Sequence, residues 1–148
     1  MARTSKRHTT EEIAERLGMQ YVFGVEFHEL DLGGPTERAF CTDDFNALGW
    51  HGNAILSSVP FEQIAMLRLD DRGHWFTYES GTSDPDQLRR GGRMAIIAVV
   101  PGKTRPLCVV STHLESKASA DHRHLQISKL LDAIDQYAPD MRCFSAET

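Results

Sequence analysis

Cysteine is scarce in this chain of 148 residues: its three cysteines, Cys41, Cys108 and Cys143, stand far apart and form no Cys-x-x-Cys pair. That excludes a zinc knuckle and gives no sign of a disulfide framework. Cys108 lies inside an apolar run and reads as a small core residue. This points to a reducing compartment, so the expected location is cytoplasmic. Long apolar runs are missing too. The longest, Met94 to Val100, is far too short to span a bilayer, so no membrane span is expected. The basic start, Met1 to His8, is followed by no apolar stretch of the secretory kind. A surplus of positive charge is also lacking. The net charge of −5 argues against a dedicated non-specific nucleic-acid binder, while leaving nucleic acid open through a local patch. With 41% apolar and 25% charged residues, the chain reads as one ordinary globular domain, or part of one.

Thr9-Thr10-Glu11-Glu12 has the form of a capping box with Thr9 as N-cap, and Gly18 is placed to stop a short helix. Residues 1–8 read as a flexible lead and residues 9–148 as the folded part. Gln20 to Leu30 alternates with period two, which predicts a strand. The alternation puts Glu26 and His28 on one side, as an active-site pair or, by preference, as the solvated side. Residues 31–49 form a long loop, and Ala54 to Leu56 a short buried strand. Further strands are expected at Ala65–Leu69, His74–Tyr78, Met94–Val100 and Leu107–Val110, with a hairpin turn at Asp70-Asp71-Arg72-Gly73 and a loop over Ser80–Gly92. Ser119 caps a helix running to about Tyr137, with Leu125, Ile127, Leu130, Leu131 and Ile134 as its apolar stripe. His122 and His124 on that helix read as an exposed pair. Met141 to Phe144 looks like the start of one more strand.

The stretch Val109-Val110-Ser111-Thr112-His113-Leu114-Glu115-Ser116 runs from a buried strand into a polar end. A histidine there stands on a rigid support beside an open edge, as a phosphate donor or simply as a strand-closing residue. With His51-Gly52-Asn53-Ala54-Ile55-Leu56-Ser57, Gly91-Gly92-Arg93-Met94-Ala95-Ile96 and Arg123-x-x-Gln126 in that order, the chain resembles the endonuclease/exonuclease/phosphatase superfamily, the deoxyribonuclease-I-like phosphohydrolases. The Ser111–Ser116 stretch is especially similar to the tyrosyl-DNA-phosphodiesterase branch.

The resemblance implies an α/β (α+β) fold, a two-sheet sandwich of mainly antiparallel or mixed strands flanked by helices. It implies hydrolysis of a phosphate ester with Mg²⁺ or Mn²⁺ held by oxygen ligands. It makes His113 the catalytic residue, donating to the phosphate, with Ser116, Asn53, His51 and Arg93 as substrate-binding candidates. For His51, Asn53 and Arg93 a structural role is equally open. Gln126 and Arg123 would pin the helix to the His113 loop.

The departures are as informative. The family's Gln-Glu motif is not found upstream of the first helix, nor are Gly-Asp-x-Asn and Ser-Asp-His found after the last. The chain therefore resembles the middle of the domain, truncated at both ends, and no metal ligand is assigned in it. Two other readings stand beside the hydrolase: a non-catalytic remnant or interaction module, and a histidine metal site built from Glu26, His28 and His113. The roles of Glu26, His28 and Glu115, the substrate and the oligomeric state are left open by the sequence.

Overall fold

Met94–Val100 is apolar at every position because both of its faces are covered. In the computed structural model, which describes residues 1–70, 88–139 and the backbone of 143–147, this strand (β5) is one of the two inner members of a sheet ordered β3-β5-β6-β7. β3 spans Gln63–Arg68, β6 Leu107–Thr112 and β7 Cys143–Glu147. β3 and β6 pair antiparallel with β5, and β7 runs parallel to β6. A second, antiparallel sheet is ordered β2-β1-β4, from β1 (Gln20–Glu29), β2 (Trp50–Ser57) and β4 (Arg89–Gly91).

One face of β5 carries Met94, Ile96 and Ala98, which cluster with Val22 of β1 and Ile55 of β2 to fill the space between the sheets. Its other face carries Ala95 and Ile97, packed with Leu130 and Ala133 of helix α3 (Ala120–Tyr137). Fully burying an isoleucine contributes about 1.5–3 kcal/mol, so Ile96 and Ile97 secure one interface each. The architecture is the mixed two-sheet sandwich with outside helices that the sequence implied. Helix α1 (Thr9–Leu17) leads into β1, and the short α2 (Pro35–Arg38) interrupts the long loop.

Several local expectations change. The N-cap of α1 is His8, whose Nδ1 accepts from the backbone N–H of Glu11, because Glu12 is taken by Arg7. The lead segment makes contacts with the long loop: Ala2 is buried and donates its N–H to Asn46, and Lys6 pairs with Asp43 at 2.9 Å. The buried face of α3 is Gln126, Leu130 and Ala133, while Leu125 and Leu131 of the expected stripe are exposed. Cys108 is not a free core thiol but disulfide-bonded, and Cys41 is the free cysteine among the described residues. The loop expected over Ser80–Gly92 ends in β4. The strand expected at His74–Tyr78, and the turn at Asp70–Gly73 beyond its first residue, lie outside the described residues.

Gly52 shows how tightly β1 and β2 approach. A Cβ built there would stand 1.8 Å from the Gly24 carbonyl oxygen, so Gly52→Ala must push two backbones apart. It should lower stability by about 1–3 kcal/mol, read as a fall in the urea midpoint at unchanged slope.

Candidate functional site

Strand β1 loses its period-two alternation at a β-bulge. Val25 pairs with Gly52 and Phe27 with His51, leaving Glu26 as the extra, unpaired residue. At the bulge the adjacent Glu26 and Phe27 are both buried, so the aromatic residues of β1 are split between two sides. Tyr21 and Phe23 stay outside against the His8 ring, whereas Phe27 is buried and stacks on His51 with ring centroids 4.5 Å apart. Glu26 and His28, expected on one side, part company: Glu26 has no exposed surface and His28 is exposed. Two glycines make room for the bulge, since a Cβ at Gly91 would meet the Glu26 carbonyl oxygen at 2.4 Å and one at Gly52 the Glu26 nitrogen at 3.0 Å, while Gly24 nearby makes room for Met94.

Burying a carboxylate without a partner is prohibitively costly, and Arg93 is the partner. It lies just before β5 and is itself buried. Its Nη1 donates to Glu26 Oε1 at 2.7 Å and to His113 Nδ1 at 2.9 Å, and its Nε donates to Glu115 Oε2 at 3.0 Å. Residues 26, 93, 113 and 115, distant in sequence, thus meet at the end where β1, β5 and β6 converge. The other oxygen of Glu115 accepts from the Lys117 N–H at 3.0 Å. The other oxygen of Glu26 has no hydrogen-bond partner and faces His51 Nδ1 at 3.7 Å, an atom that is likewise buried and unpaired.

Behind this group a second set of bonds fixes α3. Gln126, buried in the helix, accepts from the Glu115 N–H at 3.0 Å and donates to both oxygens of Asp70 at 3.1 Å. Asp70 also accepts from the Arg93 backbone N–H at 3.3 Å and meets His122 Nε2 at 3.0 Å. The helix-pinning role expected of Gln126 is what the geometry shows. Arg123 donates to the Ala118 carbonyl in the loop ahead of the helix. His122 is half-buried against Asp70, contrary to the reading of an exposed pair, while His124 is exposed.

Of the sequence candidates, Arg93 and His113 are in direct contact, and His51 stands over the same carboxylate. Asn53 donates to the Met94 carbonyl at 3.2 Å and so bridges the two sheets. Ser116 lies in the exposed turn after Glu115. Glu26, Glu115 and Asp70 were not singled out as partners of Arg93. The cluster of glycines at 24, 52 and 91 was the available signal that something irregular surrounds residue 26.

Burial pushes the Glu26 carboxyl up, but His51, Arg93 and His113 together more than offset this and hold it below the usual carboxylate range. Burial and the adjacent Arg93 hold the His113 imidazole below its ordinary value, against the opposite pull of Glu26 and Glu115. The site is therefore built to keep Glu26 ionised and His113 neutral. A divalent cation does not fit these residues. The two nearest carboxylates already converge on a guanidinium, and the described residues contain no group of three His, Cys, Asp or Glu able to hold a metal. A cavity of about 340 Å³ is lined by His51 together with Arg3, Lys6, His8, Phe23 and Trp50 among others.

No family model matches the chain, and no curated protein does. Its fold is found among solved structures. The human Nocturnin catalytic domain with bound sulfate anion superposes with a TM-score of 0.57 at 17% identity, over 95% of this chain and 45% of that one. An endonuclease/exonuclease/phosphatase from Beutenbergia cavernae DSM 12333 gives 0.57 at 18% identity, over 93% of this chain and 31% of that one. The chain therefore has the endonuclease/exonuclease/phosphatase fold and spans less than half the length of either structure.

Removing Arg93 would leave two buried carboxylates facing each other. Arg93→Met should cost about 3–5 kcal/mol, measured by chemical denaturation. The pH dependence has a definite sign. Glu26 and His113 both titrate lower in the folded chain, so their contributions are complete above the unfolded values and are lost as pH falls through the folded ones. Stability should decline first below the ordinary imidazole range and again below the ordinary carboxylate range. His113→Asn should abolish the first decline alone, followed as urea midpoint against pH.

Proposed function

We propose that this chain forms the phosphate-facing part of a phosphate-ester hydrolase, with His113 donating a hydrogen bond to the phosphate. The observation that carries this reading is the placement of His113: an imidazole at the end of β6, held through Nδ1 by a buried arginine that is itself held by two carboxylates. A donor so fixed meets charge on a phosphate oxygen without reorganising. The shared fold with the endonuclease/exonuclease/phosphatase structure supports the assignment, and the Ser111–Ser116 stretch favours a tyrosyl-DNA-phosphodiesterase-like relative within it. His51, Asn53, Arg93 and Ser116 surround or buttress the same end.

Arg93 serves as the buttress in this reading, because its guanidinium is directed inward to Glu26, Glu115 and His113. Mg²⁺ or Mn²⁺, which the family resemblance implies, would need carboxylates beyond the described residues, so no step is assigned to a metal here. By itself the polypeptide is expected to bind phosphate without turning esters over at a useful rate. The same engagement of Glu26 and Glu115 by Arg93 favours, as a second reading, a module that retains the phosphate-binding end but not the catalysis.

With Mg²⁺ or Mn²⁺ and bis(p-nitrophenyl) phosphate, the chain should show no turnover above buffer; turnover abolished by His113→Ala would overturn the inactivity and establish the hydrolase. Binding separates the remaining cases. Loss of one charge-assisted hydrogen bond, about 1.5–3 kcal/mol, should weaken inorganic phosphate about tenfold or more in His113→Ala. Unchanged affinity would remove His113 from the site.

A further inference from the structure

Two histidines approach one buried ion pair from its two ends, and the chemistry of each end dictates a different tautomer. The guanidinium has donors only, so the nitrogen it meets at 2.9 Å, Nδ1 of His113, must accept. In the neutral ring the proton then sits on Nε2. His51 meets the opposite partner: its Nδ1 lies 3.7 Å from Glu26 Oε2, and both atoms are buried without another hydrogen-bond partner. An ionised carboxylate accepts only. The arrangement that suits both orphaned atoms puts the His51 proton on Nδ1, directed at Glu26, with Nε2 bare. Stacking on Phe27, the two planes 11° apart, keeps the ring in that orientation. The His51 side chain is 39% exposed although its Nδ1 is buried, so its open edge is the one that carries Nε2.

We propose that the buried Glu26–Arg93 pair sets His51 and His113 in opposite tautomers, so that the site offers a bare acceptor nitrogen from His51 and an N–H donor from His113. This deepens the phosphate-site reading and rests on it for the ligand. A ligand that reaches both nitrogens meets a donor and an acceptor, which matches a phosphate group that brings its own O–H. The pair is mismatched to a fully deprotonated tetrahedral anion such as sulfate, which has nothing to donate to His51. Glu26 and Arg93 are positioning residues in this arrangement and touch no ligand.

The test reads the tautomers directly, by long-range ¹H–¹⁵N correlation of the imidazoles in the ¹⁵N-labelled chain at a pH where both are neutral. His113 should show a bare Nδ1 and a protonated Nε2, and His51 the reverse. A wild-type His51 with its proton on Nε2 would overturn the proposal. In Glu26→Gln the amide oxygen can still accept from Arg93, which turns the amide N–H₂ toward His51. That variant should flip His51 to the Nε2–H form and leave His113 unchanged; an unmoved His51 would count against the proposal. Arg93→Lys keeps a donor-only partner and should preserve the His113 tautomer. If a variant fails to fold, the wild-type spectrum decides. Added inorganic phosphate should shift both imidazoles, and sulfate only His113. An equal response of His51 to the two anions would remove its acceptor role. Expected tautomers with no response to either anion would defeat the phosphate reading and leave the tautomer assignment intact.

Discussion

The structure depends on one guanidinium. Arg93 lies at the junction of the two sheets and holds a carboxylate from β1 on one side and a carboxylate from the loop after β6 on the other. A single buried cation between two buried anions leaves one formal negative charge in the interior, which His51 on the Glu26 side and the Lys117 backbone N–H on the Glu115 side temper by facing it. Sandwich formation and site formation are for this reason the same event. The strands that supply residues 26, 93 and 113 cannot be assembled otherwise without stranding a charge away from water.

From that constraint the geometry of the end follows. The bulge in β1 exists where Glu26 must turn inward, and glycines at 52 and 91 accept the crowding it causes. The Glu26 carbonyl, freed from regular pairing, is satisfied by Arg68 at 3.0 Å and by the Gly92 N–H at 3.1 Å. Helix α3 is rotated so that Gln126, rather than the leucines beside it, faces inward to serve Glu115 and Asp70. A polar residue at the centre of a buried helix face is worth its desolvation only when all its bonds are made, and here both amide atoms are used.

Much of the frame was legible in the residues. The all-apolar run at 94–100 announced a strand covered on both faces, Ser119 announced the start of α3 by accepting from the His122 N–H, and Gly18 announced the end of α1 in the left-handed conformation. The position of His113 at the end of a buried strand was legible for the same reason: periodicity and caps are local properties. The α3 stripe was misread because hydropathy ranks Leu125 above Gln126, while the tertiary hydrogen bonds of Gln126 outweigh that preference. Glu26 was misassigned because strict alternation carries no information about a bulge.

The sequence by itself determined the longer helices and strands, the central place of β5 and the residue types gathered near His113, since these follow from short-range pattern and side-chain chemistry. Only the tertiary structure decided which charges meet. Arg93 is separated from Glu26 by 67 positions and from Glu115 by 22, and no local pattern encodes a pairing over such spans. That choice is made when the sheets close, because water leaves the junction and each ionised group must then find its counterpart within hydrogen-bond reach.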